Sequence, residues 1–320
     1  MGGKSINFLG FSRLSFGFFD WTSTRQEMEN IIVLEDKFFI AEIKTKGAEL
    51  CRLFCKKTKT EILWNGDATY WGRHAPVLFP IVGKVKNNQY QINEKSYELS
   101  QHGFARDAEF LVINQSKTSC SLQITSTKNT LKKYPFEFSF TTTFTLNSTG
   151  LTTNYDVINT GTSPSLFSLG AHPAFNCPLN DDLKLTDYEL KLEKKETVSI
   201  LLLAKSGLIS DERSPFLTNE NSIPLNDKLF INDALIFDDL KSQSLTIQSQ
   251  KDDVAVKVSW YNFPHLGIWK PLKAPFICIE PWHGMADFDS QNGGFQSKFG
   301  IIELDPTKKF SAGYSVETLV

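Results

Sequence analysis

The chain has 320 residues, 41% of them hydrophobic, with a formal net charge of −2 from 34 basic and 36 acidic side chains. That length can bury a large core, and the near-neutral balance gives no electrostatic reason to expect nucleic acid or an anionic membrane surface as a partner. No apolar run approaches the roughly 18 residues of a spanning helix, and five scattered cysteines are expected as free thiols in a reducing cytoplasm.

In chain order, residues 1–27 come first and read as an N-terminal extension or leader outside the fold. They hold Phe8, Phe11, Phe16, Phe18, Phe19 and Trp21 without a period. They lack the continuous apolar core and Ala-x-Ala site of a secretory signal, and Ile6 stands where a myristoylation motif wants Ser or Thr. Met28 opens what reads as one domain, 28–320, because no Pro/Gly/Ser-rich linker or internal repeat divides it.

From there the dominant period is two. Trp71-Gly72-Arg73-His74-Ala75-Pro76 leads into the apolar run Val77 to Val82, and Gln101-His102-Gly103-Phe104-Ala105-Arg106 offers a bend at glycine. Cys120, Leu122 and Ile124 alternate with polar residues. Phe136, Phe138, Phe140, Thr142, Phe144 and Leu146 then alternate and turn through Asn147-Ser148-Thr149-Gly150 into Leu151 to Val157, a hairpin signal. The same alternation marks Tyr188, Leu190 and Leu192, and later Val254, Val256, Val258 and Trp260. Helical period is confined to single turns near 129–133 and 205–208. Many short strands with regular turn clusters predict an all-β fold, a large antiparallel sandwich or barrel.

Three segments carry the candidate chemistry. In Phe276-Ile277-Cys278-Ile279-Glu280-Pro281-Trp282 four apolar residues precede a carboxylate, so the strand is expected to be buried on both faces and the carboxylate desolvated, which raises its pKa and makes it a better base. Pro281 cannot donate to a ladder, so the strand is expected to end or bulge there. In Leu169-Gly170-Ala171-His172-Pro173-Ala174-Phe175 the small residues permit close approach to a histidine whose backbone Pro173 holds extended. His102 is the third. The plain alternatives are a structural ion pair for Glu280 or Arg73, carbonyl-bonded core histidines, and core packing for Trp269 and Trp282. No His-Glu-x-x-His, His-x-His or paired-Cys pattern occurs, so no metal is expected. The absence of a Gly-x-Gly-x-x-Gly or Walker loop likewise gives no nucleotide cofactor.

Together the segments resemble the aldose 1-epimerase (galactose mutarotase-like) superfamily, and within it the LacX-like branch, whose signature is similar to Arg73 through Lys84. Four ordered motifs spread over nearly all of 28–320 carry the resemblance. It implies a β-supersandwich with a sugar cleft, Glu280 as general base, His172 as general acid, and His102 as a second histidine that holds the sugar and polarises its ring oxygen. It also places Arg73 and Asp233 as substrate-binding residues, with Trp269 and Trp282 at the sugar's apolar face. The implied protein is a cytoplasmic monomer or homodimer without cofactor, whose partner is a small-molecule sugar, a hexose or hexose phosphate. A phosphate would need a basic clamp, for which Lys84, Lys86 and Arg106 stand nearest in sequence. A non-catalytic carbohydrate-binding module on the same fold is the alternative. A glycoside hydrolase would need a second carboxylate roughly 5–9.5 Å from Glu280, with Asp287 and Asp289 the residues to check.

Overall fold

The computed structural model describes residues 1–2, 30–291 and 294–320, so the expected extension beyond its first two residues lies outside the described residues. The alternating run at Phe138–Asn147 and its partner Gly150–Asn159 form the expected hairpin, in register from Phe138 opposite Asn159 to Asn147 opposite Gly150. Phe138, Phe140 and Phe144 are buried, while the threonines between them are half exposed except Thr142. Asn147 closes the turn by accepting the N–H groups of Thr149 and Gly150 on its side-chain oxygen.

Among the described residues this hairpin belongs to a continuous hydrogen-bonded sheet of 15 strands, beside which lie a four-stranded sheet over residues 31–61 and two two-stranded ribbons. All ladders between strands are antiparallel, and the four-stranded sheet shares one core with the large sheet through Leu34, Ala41, Leu53, Phe140, Ile277 and Ile279. Among the described residues helical structure is limited to 3-10 turns at Lys86–Asn88, Ala105–Asp107, Leu185–Asp187 and Asp227–Phe230. The stretches 129–133 and 205–208, expected as helical, are hydrogen-bonded turns. No helix among the described residues is long and apolar enough to cross a membrane.

The part of the sheet that matters most is its end, where the strand order runs Val77–Leu78, Leu169–Ala171, Phe276–His283, His265–Trp269, Leu235–Phe237. Period two divides the strand Phe276–His283 between two environments. Ile277 and Ile279 enter the main core, while Phe276, Cys278, Glu280 and Trp282 face the other side. Pro281 does not end this strand, contrary to expectation. Register continues through Leu266 opposite Pro281 to Leu169 opposite His283. The reason lies next door. Ile279 donates its N–H toward Pro173, so Pro281, two residues on, points its missing donor the same way. That side falls at the break between Leu169–Ala171 and Ala174–Asn176, where no bond is required.

Candidate active site

The break just described is His172-Pro173, and it turns His172 out of the ladder over the neighbouring strand. Its main chain stays anchored by His172 N–H to Pro76 O at 3.1 Å. The imidazole Nε2 comes to 3.2 Å from Glu280 Oε2, with both residues buried. Three rings hold the imidazole plane. Trp71 stacks on it at 4.8 Å and 24°, while Trp269 and His102 meet it edge-on at 5.9 and 5.8 Å. The Trp282 indole lies in a slot between two glycines. A Cβ on Gly267 would meet its ring at 2.5 Å, and one on Gly170 at 2.8 Å.

His102 is held differently. Gly83 donates its N–H to His102 Nδ1 at 3.1 Å and accepts the His102 N–H at 2.8 Å, fixing a left-handed backbone at φ 66°. Gly83 itself needs φ +67° and the absence of a Cβ, which would sit 2.6 Å from Ala286. A main-chain donor on Nδ1 forces the neutral ring to carry its proton on Nε2. Gln101, whose amide lies 3.2 Å from that nitrogen, must therefore turn its oxygen toward it. Protonating Nδ1 would set two N–H groups against each other. His102 is thus a neutral hydrogen-bond donor and a poor proton source.

Burial dominates the electrostatics. It raises the Glu280 carboxyl well above the ordinary range, with Asp233 adding to the rise and the Trp282 indole N–H opposing it. Burial also lowers His172, helped by Arg106 and Arg73 and opposed by the ring's own main-chain carbonyl and by Glu49. It lowers His102 as well, followed by His172, Arg106, Arg73 and Lys84. Burial therefore favours the uncharged form of each group, a carboxylic acid beside a neutral imidazole with one exchangeable proton between them.

Above the pair lies a cavity of about 280 Å³, near the lower end of ligand-pocket sizes. Glu280, His172, His102, Asp233, Trp269 and Trp282 all line it. Arg73 does not. Its guanidinium is tied to Asp107 at 2.8 Å in a neighbouring cleft that shares Trp71 and Arg106 with the cavity. The guanidinium on the cavity wall belongs to Arg106, with one N–H donated to Gln101 O at 2.8 Å and its buried Nε without a hydrogen bond. Burial and Arg73 both depress its pKa. Asp233 follows the 3-10 turn Asp227–Phe230 at φ 77° and accepts the N–H of Ala234.

Other sequence candidates are committed elsewhere. Asp287 is buried against Lys298 at 2.8 Å and accepts the Lys86 N–H, and Lys86 Nζ donates to Asp289 O at 2.6 Å. Neither aspartate lines the cavity, which removes the support that a glycoside hydrolase would have drawn from them. Lys84 reaches over Gly207 to a neighbouring cleft that also contains Asp233. His74 is structural. Its Nε2 donates to Asn65 O, and Glu49 accepts both its main-chain N–H and that of Ala75. Sequence reasoning missed Trp71 and Cys278. Cys278 shares a strand face with Glu280, two residues away, and its sulfur, His172 nitrogen and a Glu280 oxygen all lie within 4.8 Å of one another. Burial, then the Glu280 charge, push that thiol well up.

A family model described as aldose 1-epimerase matches residues 30–296. Protein LacX, plasmid, of Lactococcus lactis subsp. lactis is 32% identical over 90% of this chain and 99% of its own length. Among solved structures, a galactose mutarotase related enzyme from Lactobacillus acidophilus is 34% identical with a TM-score of 0.86, covering 91% of this chain and 98% of that one. A galactose mutarotase-like protein from Lactobacillus casei ATCC 334 is 32% identical with a TM-score of 0.85, over 90% and 100% of the two chains.

Proposed function

The chain belongs to the aldose 1-epimerase family, in the LacX-like branch of the galactose mutarotase-like superfamily; from that premise we propose that it interconverts the α and β anomers of a free hexose or hexose phosphate in the cytoplasm. The observation that carries this reading is the Glu280–His172 contact of 3.2 Å at a sugar-sized cavity. Such a pair can take a proton from one oxygen and give one to another.

The steps follow from proton counting. A bound pyranose draws the shared proton from Glu280 onto His172 and replaces the single hydrogen bond of the pair with two, its C1 hydroxyl on the resulting Glu280 carboxylate and its ring oxygen on the resulting His172 imidazolium. Glu280 removes the hydroxyl proton, His172 protonates the ring oxygen, and the C1–O5 bond breaks to give the open aldehyde. The pair is left as carboxylic acid and neutral imidazole, the state that burial favours, so ring opening discharges a buried ion pair. Rotation about C1–C2 exposes the other carbonyl face, and reclosure returns both protons. His102, a fixed Nε2–H donor, holds the substrate and polarises the ring oxygen without exchanging a proton. Arg106 and Asp233, which both line the cavity, contact substrate hydroxyls, while Arg73 stands in the neighbouring cleft that shares Trp71 and Arg106 with it.

The test is saturation-transfer NMR of anomer exchange with galactose, glucose and glucose 6-phosphate. The reading expects exchange above the spontaneous rate for at least one sugar. A sugar that raises Tm without accelerated exchange would instead make the protein a binding module.

A further inference from the structure

We propose that His172, Cys278 and Glu280 form a binding site for a soft divalent cation such as Zn²⁺, which seats in the cavity floor and blocks access to the proton-transfer pair. Two donors come from one strand, Phe276–His283, and the third from the break between the two strands Leu169–Ala171 and Ala174–Asn176 that pair with it; their atoms lie within 4.8 Å of one another. A tetrahedral Zn²⁺ with bonds of roughly 2.0–2.3 Å spaces its donors about 3.5 Å apart. The histidine and glutamate atoms are already at 3.2 Å, and the Cys278 sulfur lies within 4.8 Å of ligand atoms of both residues. Imidazole, thiolate and carboxylate form a donor set that suits zinc better than magnesium or calcium. Metal binding releases the Cys278 thiol proton and the Glu280 carboxyl proton to solvent, and the resulting thiolate and carboxylate together balance the dication, which a buried site requires. Glu280 and His172 also face the cavity, leaving the fourth ligand position open to water or a sugar hydroxyl.

The site needs no sugar chemistry to be detected; only its inhibitory consequence rests on the proposed function. Co²⁺ titrated into metal-free full-length protein should produce a thiolate-to-metal charge-transfer band at one equivalent, displaced by Zn²⁺. Cys278→Ala should abolish the band, and Cys51→Ala should leave it. In the exchange assay, saturating Zn²⁺ should slow the wild type at least about tenfold, reversed by a chelator, since both acid and base are occupied. With each rate taken relative to that variant's own metal-free rate, Cys278→Ala should need at least about tenfold more Zn²⁺ than wild type for the same fractional inhibition. A charge-transfer band that survives in Cys278→Ala, or no band in the wild type, overturns the site. A normal band in a protein with no anomer exchange leaves the site standing and defeats the proposed function.

Discussion

Among the described residues there are two buried glutamate–histidine pairs, and they do opposite things. Glu49 accepts the main-chain N–H groups of His74 and Ala75 at 2.6 and 3.1 Å, with the His74 ring at 3.6 Å. Burial alone would raise its pKa, but the His74 side chain and these N–H groups outweigh it and hold the carboxyl below the ordinary range. Glu280 is buried more deeply, and among the described residues no main-chain N–H donates to it, so burial wins and the carboxyl rises. The same two residue types become a permanent anion that pins a loop and a proton carrier. The hydrogen bond from the His74 side chain, with the backbone donors behind it, decides which.

Removing the charge should separate the two pairs most sharply. Glu280→Gln should lower kcat for anomer exchange by about 10²–10⁴-fold, the usual worth of a positioned base, with Tm unchanged or higher. Comparable exchange in this variant would remove Glu280 from its role. The histidines should divide next. His172→Asn should lower kcat by about 10²-fold with little change in KM, whereas His102→Asn should raise KM about tenfold, the worth of roughly one hydrogen bond. Equal effects on both parameters in both variants would contradict the assignment of one as acid and the other as fixed donor.

Glu49→Gln should act on stability instead, costing about 1–3 kcal/mol because an amide cannot accept both N–H groups as well as a carboxylate, while kcat stays within about fivefold. The pH dependence gives these changes a sign. Glu49 is lowered in the fold, so its contribution is present above pH 4.5 and fades as pH falls through its depressed folded value. Glu280 is raised, so its ionisation destabilises the fold progressively as pH climbs from 4.5 toward the raised value. Thermal unfolding across pH should therefore show Glu49→Gln converging on wild type in acid, and Glu280→Gln gaining on wild type as pH rises.

How much of this was legible before the fold depends on what each residue meets. Alternation announced the hairpin Phe138–Asn147 with Gly150–Asn159, because one face of each strand packs into the core. It was silent for His265–Trp269, buried on both faces, where no period survives. Glu280 and His172 stood out because proline follows each, yet the effect of Pro281 was misread, since its donor-free side could be known only from its neighbour's break. The resemblance placed a substrate arginine at Arg73, but the ion pair with Asp107 leaves Arg106 on the cavity wall. Cys278 and Trp71 reach His172 across strands and loops, and such contacts depend on register that one chain in isolation does not display.

The contrast between the two pairs can be read in one spectrum, by following the side-chain carboxyl ¹³C shifts of labelled glutamates through a pH titration, with Glu49→Gln and Glu280→Gln as assignments. The account predicts that Glu49 titrates below 4.5 and Glu280 well above it. Glu280 titrating at or below 4.5 would mean an ordinary carboxylate, and would contradict the claim that burial, unopposed by donors such as those on Glu49, makes it the proton carrier.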